Sequence, residues 1–362
     1  MKEKFRQLIR TYVQSHPMAE VTDIMKLIYQ SSFGSGHMVG EDASLSRLLE
    51  EAADAPADQP HFEELCGDFW RINLSALSVI SPQLLNRMFA VSGAVIPPCA
   101  QESFDEKIKW LQELASCEKS LSFTESDIQN EWEKYKASGY APVHHSEQFK
   151  RFYPAHYRVV RKEFCQYLPA FAAVERLMAE KEGVATAIDG NAAAGKSTLA
   201  QVLASVFPSQ IIHADDFFLP AELRTPARMA EIGGNFHYER WEEEVCRPLQ
   251  SGREFSYGIF DCSVMEITRR EMVPPKPLLI LEGSYTLHPR LQAYYDLKIF
   301  LGLDEETQRE RILRRNGPQM LKRFTGEWIP MENAYFEMFQ IPSAAELCFG
   351  TAQENFDPAG KI

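Results

Sequence analysis

The chain lacks most of what would commit it to a membrane, a nucleic acid or an oxidising compartment. No apolar run approaches the roughly 20 residues that a membrane-spanning helix needs. Met1 to Arg10 carries charge throughout, so no apolar signal core is expected there. Positive charge is scarce: 38 Lys and Arg against 51 Asp and Glu leave a net charge of −13, spread over both halves. A basic platform for nucleic acid or a polybasic membrane patch is therefore not expected. The seven cysteines are an odd number with no C-x-x-C pair, which points to reduced thiols in the cytoplasm. Internal repeats are absent. What remains is ordinary globular composition, 45% hydrophobic and 25% charged, in 362 residues, enough for two domains.

Against that background one segment carries specific chemistry. Gly190-Asn191-Ala192-Ala193-Ala194-Gly195-Lys196-Ser197 is a complete G-x-x-x-x-G-K-[ST] phosphate-binding loop. Val184 to Asp189 before it reads as a short buried strand, and Thr198 to Ala204 after it has helical spacing. Glycines let backbone N–H groups turn inward, and the helix N-terminus favours negative charge. Lys196 is expected to reach the β- and γ-phosphates of ATP, and Ser197 to offer a hydroxyl to Mg²⁺. The loop residues through Thr198 form the expected nucleotide site.

The texture of the chain changes near this loop. Residues 1–182 are predicted to be mainly helical, with apolar spacing at Leu8, Ile9, Tyr12 and Val13 and again from Val21 to Ile28. Ser81 precedes Pro82 as cap and helix start. Phe104 to Leu114 and Ile128 to Tyr135 are further helices, and Tyr157 to Lys181 reads as one long helix ended or kinked at Pro169. Lys181-Glu182-Gly183 reads as a linker. From there to residue 350, short apolar strands alternate with helices: Ile211 to His213, Leu278 to Leu281 and Leu297 to Leu301, then a helix from Glu305 to Arg315. The fold class expected is α/β, a parallel five-stranded sheet covered by helices behind a helical N-terminal domain. Residues 351–362 are expected to be a flexible tail.

In a parallel sheet the C-terminal ends of the strands converge on one crevice. Two acidic motifs fall there. His213-Ala214-Asp215-Asp216-Phe217-Phe218 follows the second strand, and a kinase needs a carboxylate at that place to take or orient the proton of the attacking hydroxyl. Leu278-Leu279-Ile280-Leu281-Glu282-Gly283 ends in an acid that can hold Mg²⁺ through water beside Ser197. The plainer readings are a pair of acids capping a turn for Asp215-Asp216 and a strand terminus with a solvated glutamate for Glu282.

The loop, Asp215-Asp216-Phe217-Phe218 and Leu281-Glu282-Gly283 together resemble the uridine kinase family of P-loop kinases, over roughly Val184 to Phe349. That family is similar to nicotinamide riboside kinases, phosphoribulokinases and bacterial pantothenate kinases. The resemblance implies Asp215 as catalytic base and Glu282 as the acid of the Walker-B-like strand. Tyr238-Glu239 resembles a Y-D element that holds sugar hydroxyls, with Glu in place of Asp. Phe260-Asp261-Cys262 resembles a Y-D-F segment. The H-[ST]-R continuation that contacts a pyrimidine nucleoside is missing, the chain reading Ser263-Val264-Met265-Glu266. Acceptor contacts are thus expected at Asp216, Tyr238, Glu239 and Asp261. Arg311, Arg314 and Arg315 resemble lid arginines, whose guanidinium groups neutralise phosphoryl oxygens. Pairing of Arg314 with Glu310 and of Arg309 with Glu306 on a solvated face is the alternative.

The expected activity is ATP- and Mg²⁺-dependent transfer of a phosphoryl group to a small-molecule hydroxyl acceptor, a nucleoside or other ribosyl compound. The alternative is a nucleotide-dependent switch with the helical half as its output, which has no need of an acceptor base. In the first half, the glycine-rich Ser32 to His37 reads as a helix terminator, and a metal site combining His37 with His144 or His145 is a minor expectation. The sequence leaves regulation, substrate recognition and association all open for that half.

Overall fold

The structure, a computed structural model, describes residues 1–35, 41–118 and 121–350. The expected tail at 351–362 and His37 lie outside the described residues. The chain divides into two compact units, Met1–Leu168 and Pro169–Ile362.

The first unit begins with helices α1 (Lys2–Ser15), α2 (Val21–Phe33) and α3 (Glu41–Ala52) and short strands β1 (Phe62–Glu63) and β2 (Phe69–Asn73). Helices α4 (Pro82–Gly93), α5 (Ala100–Cys117), α6 (Glu125–Ala137) and α7 (Glu147–Phe152), strand β3 (Tyr157–Arg161) and helix α8 (Lys162–Gln166) follow. The apolar faces of α1, α2 and α5 meet in a core around Phe5, Ile9, Ile24, Ile28, Phe104 and Ile108. The Ser81 hydroxyl accepts from the Leu84 N–H and caps α4, whose first residue is Pro82.

The long helix expected over Tyr157 to Lys181 is not formed. Tyr157–Arg161 is a strand, antiparallel to β2, with Val159 opposite Arg71 and Val160 opposite Trp70. Two adjacent β-branched residues with a ready partner strand override the helical spacing. Helix α9 (Leu168–Glu180) then opens afresh, with Pro169 in its first turn, where a missing N–H costs nothing. It stands on the second unit's side of the division: Phe171 stacks on Phe207, ring centroids 6.1 Å apart. The expected linker at residues 181–183 therefore falls inside the second unit, between α9 and its first strand.

That unit continues with β4 (Val184–Gly190), α10 (Lys196–Ala204), β5 (Ser209–His213), α11 (Pro226–Ala230), α12 (Tyr238–Trp241) and α13 (Arg247–Leu249). Then come β6 (Phe255–Asp261), β7 (Glu266–Val273), β8 (Leu278–Glu282), β9 (Leu297–Leu301), α14 (Glu305–Arg323), α15 (Ile329–Met338), α16 (Ile341–Ala344) and β10 (Leu347–Phe349). The main sheet has the order β10-β9-β4-β8-β5, every pairing parallel. This is the P-loop NTPase-type fold. Every residue of β4 and β8 is buried, as expected where helices cover both faces. Register places Ile188 beside Glu282 and His213 beside Glu282 on the other side. The ends of β4, β8 and β5 thus open onto one place. The β6–β7 hairpin is an addition that the sequence pattern did not announce. Its second strand is almost wholly exposed and carries Arg269 and Arg270, so no apolar alternation marks it.

Candidate active site

A cleft of about 1010 Å³ opens at the strand ends of the second unit. Ala192, Ala193, Gly195, Lys196, Ser197 and Thr198 of the phosphate loop line it, with Asp215, Glu282, Arg311, Arg314 and Arg315. The loop's shape depends on its glycines. Gly190 has φ 139°, and a Cβ there would lie 2.0 Å from the carbonyl oxygen of Leu301. Gly195 has φ 105° and is the N-cap of α10. Ala193 takes a positive φ of 63° with no glycine to ease it, local strain of the kind that collects at working sites. Replacing Gly190 with Ala is expected to destabilise the unit by more than about 2 kcal/mol, since strain and a backbone clash add. Urea unfolding checks this.

The rest of the loop is tied down from outside. The Asn191 side-chain oxygen accepts from Leu303 N–H at 3.1 Å. Gln308, buried on α14, donates to the Ala192 carbonyl at 3.2 Å, and Arg311 donates to the Ala193 carbonyl at 3.2 Å. The Ala192 N–H donates to the Glu332 carboxylate at 3.0 Å, and the other Glu332 oxygen accepts from Ser284 at 2.8 Å. Glu332, on α15 and 5% exposed, was invisible to sequence reading because it lies far along the chain in a helix with no motif. Removing it leaves a buried N–H unpaired. Glu332→Ala is expected to raise the KM for MgATP roughly tenfold with a smaller change in kcat. Glu332→Gln, which keeps an acceptor oxygen, should restore most of the loss. Steady-state kinetics on both variants checks this.

Lys196 Nζ folds back onto the loop, donating to the carbonyls of Gly190 at 2.7 Å and Asn191 at 3.1 Å. Beneath the loop Asp189 is fully buried. It accepts from the N–H groups of Gly190 (2.7 Å) and Leu287 (2.9 Å) and from the Tyr335 hydroxyl (2.9 Å). Burial pushes its carboxyl up to about 6, opposed by the Leu287 N–H and the Lys196 charge. Tyr335, on α15, thus holds this acid from the far end of the chain.

The two acidic motifs meet as the sequence implied. Glu282 ends β8, and its Oε1 accepts from Ser197 Oγ at 3.0 Å. Gly283 follows with φ 138°, where a Cβ would lie 2.5 Å from that of Ala214. The glycine lets β8 and the turn after β5 approach closely. That turn, residues Ala214–Phe217, is 3-10 helix rather than strand end, and it separates the two aspartates. Asp215 lines the cleft. Loss of hydration and the Glu282 charge hold its carboxyl above the usual range, opposed by Lys196, His213 and Arg315. Asp216 turns away to accept from the Tyr257 hydroxyl at 3.3 Å. His213, at the end of β5, bonds Glu282 through Nδ1 at 2.5 Å, and this bond raises its pKa.

The expected acceptor residues are placed differently. Tyr238 and Glu239 do not line the cleft. The Arg228 guanidinium donates to both Glu239 oxygens, at 2.8 and 3.0 Å, and to the Tyr238 hydroxyl, while the Tyr238 ring stacks on His288. Glutamate, longer by one methylene than the aspartate of the motif, reaches this arginine. Asp261 closes the β6–β7 turn, accepting from the Ser263 N–H at 2.8 Å and hydroxyl at 2.6 Å. With Asp216 held by Tyr257, none of these four side chains lines the cleft. Phe218, Arg224, Asn235, Cys262, Met265 and Tyr285 line it instead.

The arginines lie on α14 as expected. Arg309 pairs with Glu305, at 3.6 Å, rather than Glu306. At Gly317 (φ 79°) and Pro318 the helix kinks, and Arg323 beyond the kink also lines the cleft. Trp328 packs edge-on against Phe324, ring centroids 4.5 Å apart, and lines the cleft too.

In the first unit, His145 Nδ1 bonds Asp23 at 2.8 Å and its Nε2 meets the Tyr157 hydroxyl at 3.2 Å. That buried pair anchors the start of α7 through Ser146, whose N–H and hydroxyl also donate to Asp23. Among the described residues no group of three or more His, Cys, Asp or Glu is placed to hold a metal, and no helix is long and apolar enough to cross a membrane.

No family profile matches the chain, and no curated protein matches it. Among solved structures it is similar to a possible uridine kinase from Bacillus stearothermophilus. The identity is 16% and the TM-score 0.38, over 50% of this chain and 99% of that one. It is also similar to a protein from Silicibacter sp. TM1040 assigned as a fructose transport system kinase, at 21% identity and TM-score 0.41, over 49% and 98%. Both likenesses are too distant to carry a functional argument. The P-loop NTPase-type fold of the second unit stands on its own sheet order, its phosphate loop and its converging strand ends.

Proposed function

We propose that the second unit is an ATP- and Mg²⁺-dependent kinase that phosphorylates a hydroxyl of a small molecule. The observation that carries this reading is Asp215, an acid with raised proton affinity in the same cleft as the phosphate loop. A nucleotide switch has no use for an acceptor base there.

The loop amides and the N-terminus of α10 form the anion cradle, shaped by glycines at positions that no side chain fits. Lys196 is free to exchange its bonds to two loop carbonyls for bonds to phosphate oxygens. Ser197 Oγ and Glu282 Oε1, hard oxygen donors 3.0 Å apart, suit a divalent cation held directly or through water. When bound, Mg²⁺ neutralises charge on the β- and γ-phosphates. Asp215 accepts the proton of the attacking hydroxyl, and its elevated proton affinity suits that task. Arg311 and Arg315 stabilise the charge on the phosphoryl oxygens in transit. The test is ADP release from MgATP with a panel of nucleosides, polyols and sugar phosphates. Acceptor-dependent release supports the reading, and acceptor-independent hydrolysis alone refutes it.

A further inference from the structure

Among the described residues, the cleft holds an arginine with no carboxylate partner. Arg224 lines it from the loop between the Asp215 turn and α11. Its Nε donates to the Leu219 carbonyl at 2.8 Å, which fixes the guanidinium's direction. Among the described residues no carboxylate lies within ion-pair distance of Arg224. The cleft's other acids are engaged: Glu282 with Ser197, Glu332 with the loop, Glu327 with Arg323. Asp215, the fourth, faces the same cleft without a bond to Arg224.

Asp215, Arg224 and Cys262 line the same cleft of about 1010 Å³, so acid, arginine and thiol are open to one small molecule. Burial, then the Asp215 charge, raises the Cys262 thiol, while Arg224 acts against them. Asn235 lines the same cleft, and its side chain hydrogen-bonds Tyr285. Met265 (φ 61°) occupies the hairpin turn where a pyrimidine-contacting segment would have continued.

We propose that the phosphoryl acceptor is a small anionic alcohol, whose carboxylate or phosphate group is bound by Arg224 and whose hydroxyl lies at Asp215. The acceptor assignment rests on the kinase reading, but the anion site does not.

The test uses matched pairs in the full chain: glycerate against glycerol for the carboxylate, ribose 5-phosphate against ribose for the phosphate. ADP release is followed in one arm. In the other, iodoacetamide alkylation of Cys262 is followed by peptide mass, with MgADP present so that the phosphate loop is filled. The anionic member of a pair should show at least tenfold higher kcat/KM than the neutral one and should slow Cys262 alkylation. Arg224→Ala should remove both effects, lowering kcat/KM for the anionic member roughly ten- to a hundredfold; Arg224→Lys should restore part. The pair that responds identifies the anion. Equal turnover of neutral and anionic members, unmoved by Arg224→Ala, overturns the inference and leaves the kinase reading intact. Arg224-dependent protection of Cys262 without ADP release from any pair does the reverse. Neither turnover nor protection overturns both.

Discussion

Lys196→Ala is expected to lower phosphoryl transfer by roughly a hundred- to a thousandfold, the scale for removing a preorganised electrostatic contact to a transition state. The fold should survive. Among the described residues, Lys196 bonds only to carbonyls of its own loop, at Gly190 and Asn191, and takes no part in the apolar core. Its charge does help hold the buried Asp189 ionised, so a small loss of stability is expected, well short of unfolding. The change should appear in kcat at saturating MgATP, with circular dichroism and the melting temperature showing a folded protein. Turnover within a few-fold of the parent would remove the loop lysine from the mechanism.

Asp215→Asn is expected to cost a similar amount, roughly a hundredfold or more, because a neutral amide of the same size takes no proton. Its neighbour provides the control. Asp216 faces Tyr257 rather than the cleft, so Asp216→Asn should cost much less. The pH profile separates a base from a merely positioned acid. Burial and Glu282 raise the Asp215 proton affinity. The catalytic form is the deprotonated one, so kcat/KM should climb as pH rises through a value above the ordinary aspartate range. That limb should vanish in Asp215→Asn and persist in Asp216→Asn. A larger loss for Asp216→Asn would reverse the assignment. Equal and small losses would favour the switch.

The sequence made legible what depends on local patterns. The phosphate loop, the strands around it and the acids at the ends of β5 and β8 each follow from consecutive residues, and parallel topology alone brings them together. The separation of Asp215 from Asp216 arises from the 3-10 turn at Ala214–Phe217, which the motif does not announce. What was illegible depends on long-range partners. Tyr157–Arg161 has helical spacing, but β2 claims it as a strand. Glu239 matched a motif, but Arg228, on α11, already occupies its carboxylate. Glu332 and Gln308 reach the loop from helices that carry no signature. Arg224 and Asn235 sit in irregular segments that periodicity does not read.

The most direct test of the account is to incubate the full chain with MgATP and the acceptor panel. ADP and phosphorylated acceptor are quantified together, by coupled assay and by mass spectrometry. The account predicts ADP formed in equal amount with a phosphorylated alcohol, and only when that alcohol is present. Nucleotide binding with no phosphorylated product from any alcohol, and ADP formed at one slow rate whatever is added, would contradict it.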